Sequence, residues 1–150
     1  PTIISGGKKV NVIPSTAELQ VDGRIIPGRT VESFLAEIKK IIGEGYEFEI
    51  MDQYDPTEMD YENEFYKLLA KTLIRHDKRA IPVPYLIPGF TDASNYSKLG
   101  IKCYGFTPLK LPPDLRFSEL FHGHNERVPV EGLLFGLKVM GDVVCEGASC

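Results

Sequence analysis

Between Thr16 and Met51 the apolar residues change period twice, and this limits the chain to an α/β arrangement. From Thr16 to Ile26, Ala17, Leu19, Val21 and Ile25 alternate with Glu18, Gln20, Asp22 and Arg24, which is the two-residue period of a half-buried strand. Thr30 then stands where an N-cap belongs. Behind it Val31, Phe34, Leu35, Ile38, Ile41 and Ile42 recur at the spacing of one helical face, and Gly43 and Gly45 supply the stop. Tyr46, Phe48 and Ile50 alternate with Glu47, Glu49 and Met51 as a further strand, before the turn-rich stretch Asp52 to Asp60. With the strand-like run Thr2-Ile3-Ile4 at the start, the order is strand, strand, helix, strand. Roughly 50 residues of this kind cannot bury much core alone, so the module is expected to have an open edge that something pairs with.

The second half reads differently. Tyr61, Phe65, Leu68, Leu69 and Leu73 mark another amphipathic helix, with Asp60 placed to cap it. Pro82, Pro84 and Pro88 lead into Gly89-Phe90-Thr91-Asp92, where Thr91 or Asp92 can cap a short helix through Tyr96 that stops at Gly100. Ile101 to Phe106 reads as a short strand and Pro108 to Glu119 as an irregular loop. Pro129 suits the first turn of a long helix whose Val130, Leu133, Leu134, Leu137, Met140 and Val144 share one face.

Charge excludes some functions. The formal net charge is -4, and Lys and Arg are scattered, so the basic stripe of a nucleic-acid binder is missing. No apolar run approaches the roughly 18 to 20 residues of a membrane span, and no basic start precedes a short apolar segment. A soluble protein without membrane or nucleic-acid partners is expected. Cys103, Cys145 and Cys150 form no C-x-x-C pair and cannot all be bonded within one chain, which fits reduced thiols and a cytoplasmic setting. The chain starts on Pro1 with structure at once, and reads as an excerpt.

Chemistry concentrates in three places. Two of the three histidines fall in Phe121-His122-Gly123-His124-Asn125-Glu126, a glycine-containing loop ahead of a helix. Neutral imidazole is a good zinc ligand, and Asn125 and Glu126 could orient it, but one H-x-H cannot complete a zinc shell. Surface or capping histidines are the alternative, and a mononuclear site would need Asp114 or Glu119 as well. His76 lies at a helix end beside Arg75 and Asp77, where a dipole contact explains it. The turn Gly89-Phe90-Thr91-Asp92 can offer amide N-H groups and a hydroxyl to an anion, or simply cap a helix. Arg24 can grip a carboxylate with its guanidinium fork or pair with Asp22 two residues away.

In order, Asn11-Val12-Ile13-Pro14, Asp22-Gly23-Arg24, Pro88-Gly89-Phe90-Thr91-Asp92 and His122-Gly123-His124-Asn125-Glu126-Arg127-Val128-Pro129 resemble the dinuclear-zinc aminoacylase, acetylornithine deacetylase, succinyl-diaminopimelate desuccinylase and glutamate carboxypeptidase family. The resemblance covers nearly the whole chain. It implies a partial ferredoxin-like α+β lid, or dimerisation, module over residues 1–52, followed by the C-terminal α/β part of a zinc-peptidase catalytic domain over 53–150.

By that resemblance His122 would be one zinc ligand, Arg24 and Asn11 would hold a substrate carboxylate and its surroundings, and Gly89 with Thr91 would line the same subsite. His124 and Glu126 would support the ligand by hydrogen bonds. Phe90 and Ser94 depart from the family's usual glycine and arginine, which bears on how the anion is held and on substrate size. The remaining zinc ligands and the general-base glutamate would lie upstream, so no catalytic residue is assigned here and the chain alone is expected to be inactive. The resemblance implies two zinc ions per full-length subunit, with cobalt or manganese as substitutes. It also implies a small peptide or N-acyl amino acid substrate, and a homodimer formed through the lid. The competing reading is a non-catalytic dimerisation or binding module.

Overall fold

The computed structural model describes residues 1–148, so Cys150 lies outside the described residues. The chain forms strands β1 (Ile3–Gly6) and β2 (Ala17–Gln20), then helices α1 (Val31–Ile42), α2 (Glu64–His76), α3 (Ala93–Ser97), α4 (Phe117–Leu120) and α5 (Val130–Gly147). They fall into two compact units: Pro1–Glu58 with Ile87–Lys98, and Met59–Leu86 with the residues from Leu99 onward. This is a small α/β protein.

In the first unit β1 and β2 pair antiparallel, with Ile3 opposite Gln20 and Gly6 opposite Ala17. The alternation anticipated from Thr16 to Ile26 forms a ladder only over Ala17–Gln20. Tyr46 to Met51 is not a strand, because among the described residues no neighbour offers it a ladder. Helix α1 follows expectation: Thr30 caps it through a capping box with Ser33, and Gly43, in the left-handed region, ends it with its N-H on the Lys39 carbonyl. Gly23 serves packing here, since a Cβ would come within 2.4 Å of the Phe34 ring.

The second unit rests on α2 packed against α5. Asn63, not Asp60, caps α2, its Oδ1 accepting from the Tyr66 N-H at 3.1 Å. Asp60 instead receives the Glu62 N-H on its carboxylate and the Tyr104 hydroxyl on its carbonyl. Tyr104 also accepts from the Asn63 amide and packs on Phe65 and Tyr66, which ties the start of α2 to residues 101–106. That segment is not a strand, and the loop before the histidines contains α4.

The small core comprises Leu69 and Thr72 of α2 with Val139 and Val143 of α5. Helix α5 carries its buried row on Gly132, Gly136, Val139 and Val143. A Cβ at Gly132 or Gly136 would lie 2.7 Å from the Lys110 or Pro108 carbonyl oxygen, so these glycines let the backbone of Pro108–Lys110 lie directly on the helix. The leucine-rich face that periodicity alone would turn inward is exposed.

Candidate functional site

The histidine loop is shaped by its backbone. After α4 the chain turns through Gly123, whose N-H donates to the Leu120 carbonyl at 2.9 Å and where a Cβ would meet the Glu119 carbonyl oxygen at 3.2 Å. His122 and Asn125 flank it in the left-handed region, at φ 54° and 60°. Such conformations are uncommon for residues with a Cβ, though His and Asn adopt them more readily than most, and held strain of this kind concentrates at functional sites.

The His122 imidazole lies exposed against the Phe121 ring, with centroids 4.6 Å apart, and Phe121 packs in turn on Phe117 of α4. The ring is therefore presented to solvent from an aromatic ladder. Arg127 closes the loop by donating to the Asn125 carbonyl at 3.0 Å, and Pro129 leads into α5. His124 and Glu126 stand exposed on the same loop. The Glu119 carboxylate accepts from Arg116 at 3.0 Å.

The other anticipated residues lie in the first unit. Asn11 is in the turn joining β1 to β2, where the Val12 N-H donates to the Lys9 carbonyl. Arg24 follows β2 and directs both Nε, at 2.9 Å, and Nη2, at 2.6 Å, onto Asp22 Oδ2. Both side chains are about half exposed, so the fork is held by a solvated carboxylate that another carboxylate can exchange with at little cost. Gly89 is exposed, and at the start of α3 the Thr91 hydroxyl accepts from the Ala93 N-H at 3.3 Å, whereas Asp92, at the N-cap position, makes no side-chain capping bond. Phe90 packs on Tyr54 with centroids 4.4 Å apart, and Ser94 is buried. The Tyr54 hydroxyl is pushed above the usual phenol value by hydrogen bonding to Asp52 and by its charge.

Among the described residues no three His, Cys, Asp or Glu side chains come together to hold a metal. A structural or catalytic zinc takes at least three ligands from protein, so the described residues do not by themselves form such a site. Among the described residues no helix is long and apolar enough to cross a membrane.

One polar cluster escaped sequence reading. His76 Nε2 lies 2.8 Å from Asp142 Oδ2, and Arg75 reaches Asp142 at 3.2 Å and Glu146 at 2.5 Å. Hydrogen bonding from His76, then the charges of Arg75 and His76, holds the Asp142 carboxyl below its usual value. The partners are 66 residues apart, so local spacing could not reveal them. The only signal was a basic pair ending one helix and two acids one turn apart on another.

Comparison with known proteins gives a consistent answer. Residues 1–49 match the peptidase dimerisation domain. The chain is 30% identical to the N-fatty-acyl-amino acid synthase/hydrolase of Bos taurus over 97% of its own length and 30% of that protein. It is 29% identical to the Homo sapiens counterpart over 95% of its length and 29% of that protein. It is 28% identical to aminoacylase-1 of Dictyostelium discoideum over 89% of its length and 32% of that protein. No solved structure matches. The chain thus spans about three-tenths of the length of these relatives. With the lid, glycine-turn and histidine motifs in one order along almost all of it, the chain is similar to aminoacylase-type hydrolases, and its start matches a peptidase dimerisation domain.

Proposed function

We propose that these 150 residues are the dimerisation module and closing catalytic segment of a zinc-dependent amidohydrolase that cleaves an amide bond next to a free carboxylate, with an N-acyl amino acid as substrate. The observation that carries this reading is the alignment of nearly the whole chain with hydrolases of N-acyl amino acids, together with a peptidase dimerisation domain at its start. Those names favour deacylation over carboxypeptidase action. The finer fold proposed for the first unit is a partial ferredoxin-like module in which Tyr46–Met51 becomes a strand once a neighbour pairs with it, and homodimers form through this module.

In the proposed roles, His122 gives zinc one imidazole nitrogen, and the exposed presentation of its ring supports this. Bound zinc would supply a polarised carbonyl and an activated water at neutral pH. Arg24 would exchange Asp22 for the substrate carboxylate, Asn11 would hydrogen-bond nearby, and Gly89 and Thr91 would line the same subsite. His124 and Glu126 would steady the ligand. The isolated chain, with one ligand and no assigned base, is inactive under this reading.

The test is hydrolysis of N-acyl amino acids by the native gene product. A chelator should abolish turnover, and added zinc should restore it. His122→Ala should lower bound metal from about two ions per subunit, and Arg24→Ala should raise KM for substrates with a free carboxylate while leaving their methyl esters little changed. Metal-independent turnover, or no turnover at all, would overturn the reading.

A further inference from the structure

The turn ahead of α4 and the segment that enters α5 enclose an open cleft of about 270 Å³, lined by Pro112, Asp114, Leu115, Arg127, Val128 and Pro129. All six belong to the second unit. The walls are stiff: the Leu115 N-H closes the turn on the Pro112 carbonyl at 3.0 Å, the Pro129 carbonyl accepts the Leu133 N-H at 3.0 Å as α5 begins, and each proline fixes its own backbone. Just upstream, Pro108–Lys110 lies directly on α5 at Gly132 and Gly136.

The lining is apolar except for one anion and one cation. Among the described residues the Asp114 carboxylate makes no hydrogen bond or ion pair, and the Arg127 side chain uses only Nη1, on the Asn125 carbonyl at 3.0 Å. The two therefore share the cleft without pairing with one another. Their charges select the ligand. A simple anion on Arg127 would face Asp114, and a simple cation on Asp114 would face Arg127. An uncharged apolar molecule would take water from both and return nothing. A zwitterion with an apolar body satisfies every group, its carboxylate on the guanidinium and its ammonium on the carboxylate. The cleft holds about nine waters at about 30 Å³ each and falls below the roughly 300–1,000 Å³ of sites for drug-sized molecules, so that zwitterion is small.

We infer that this cleft binds a free α-amino acid with an apolar side chain, which packs on Pro112, Leu115, Val128 and Pro129 between the two charges. The site is assigned by its own lining and stands whether or not the reaction proposed above is correct. Its cation is the residue that clamps the Asn125 carbonyl, so a bound amino acid touches the histidine loop from outside.

The experiment is a saturation-transfer NMR titration of the native gene product with leucine, glycine, isocaproate (leucine without its ammonium) and isoamylamine (leucine without its carboxylate), none of which carries an amide to hydrolyse. Leucine should bind with a Kd on the order of 1 mM, and each of the other three at least about threefold more weakly. Asp114→Asn should erase the gap between leucine and isocaproate, and Arg127→Gln the gap between leucine and isoamylamine. A merely loosened fold would erase neither gap selectively. No transfer from leucine at about tenfold that concentration would overturn the inference, and so would glycine, isocaproate or isoamylamine binding as tightly as leucine. Leucine binding that both variants leave unchanged would place the amino acid elsewhere on the protein and overturn it as well.

Discussion

Thr72 is fully buried on the inner face of α2, and among the described residues its hydroxyl has no hydrogen-bond partner. A buried hydroxyl without a partner has lost its water and gained nothing in return. Replacing the hydroxyl with a methyl in Thr72→Val should therefore raise unfolding stability by about 1 kcal/mol, read as a higher urea midpoint at unchanged slope; a lowered midpoint would show that the hydroxyl is satisfied in solution. Nothing in the sequence singled out Thr72, because threonine is ordinary in a helix and its burial is set by α5, far along the chain. The opposite holds for His122, whose type and glycine neighbour were visible at once. Its left-handed backbone and the Phe121 ring behind it were not, since both follow from the turn that α4 imposes. Arg24 shows a third case: the Asp22 pair and the carboxylate fork were both legible, and the structure holds the former.

Helix α5 shows how far periodicity reaches. Its start after Pro129 and its leucine stripe were readable, yet the side it buries on contact with α2 and Pro108–Lys110 is the glycine row, because backbone can approach only where no Cβ stands. Gly136→Ala should therefore destabilise the chain by roughly 1–3 kcal/mol, its Cβ being driven against the Pro108 carbonyl. Gly141→Ala, with open space around it, should stabilise the chain by about 0.5–1 kcal/mol through helix propensity. If denaturant titrations of the pair moved the same way, the close approach would be disproved. The α2–α5 contact should also weaken in acid. Asp142 is held below its usual value by His76 and Arg75, and Asp77 by Lys110 and the Arg79 N-H. A carboxyl with a depressed folded-state pKa adds stability above its unfolded value, near 4, and loses it as pH falls through the folded one. Asp142→Asn should flatten the decline of the thermal midpoint below about pH 4, and an unchanged slope would assign that decline elsewhere. The two anticipated strands that do not form, over Tyr46–Met51 and Ile101–Phe106, have the right alternation. A strand, unlike a helix, takes its hydrogen bonds from a neighbour, and the sequence of one segment cannot show whether that neighbour is present.

At the scale of the whole molecule, the exposed area carries a prediction that needs no assay of activity. An unfolded chain of 16.8 kDa exposes about 24,000 Å², so folding to 12707 Å² buries about seven-tenths of what a self-contained domain of this mass would bury. Denaturant slope and unfolding heat capacity both scale with the surface exposed on unfolding. The isolated chain should accordingly show a urea m-value and a ΔCp about seven-tenths of those for an ordinary 150-residue domain, at protein concentrations low enough to keep it monomeric. A full-sized m-value in a monomer would mean that the chain buries in solution the apolar surface left exposed here. A full-sized value that appears only as concentration rises would mean that copies cover them. The reduced slope is the result expected of a segment whose core is completed by polypeptide beyond it, because the missing burial then belongs to the larger fold.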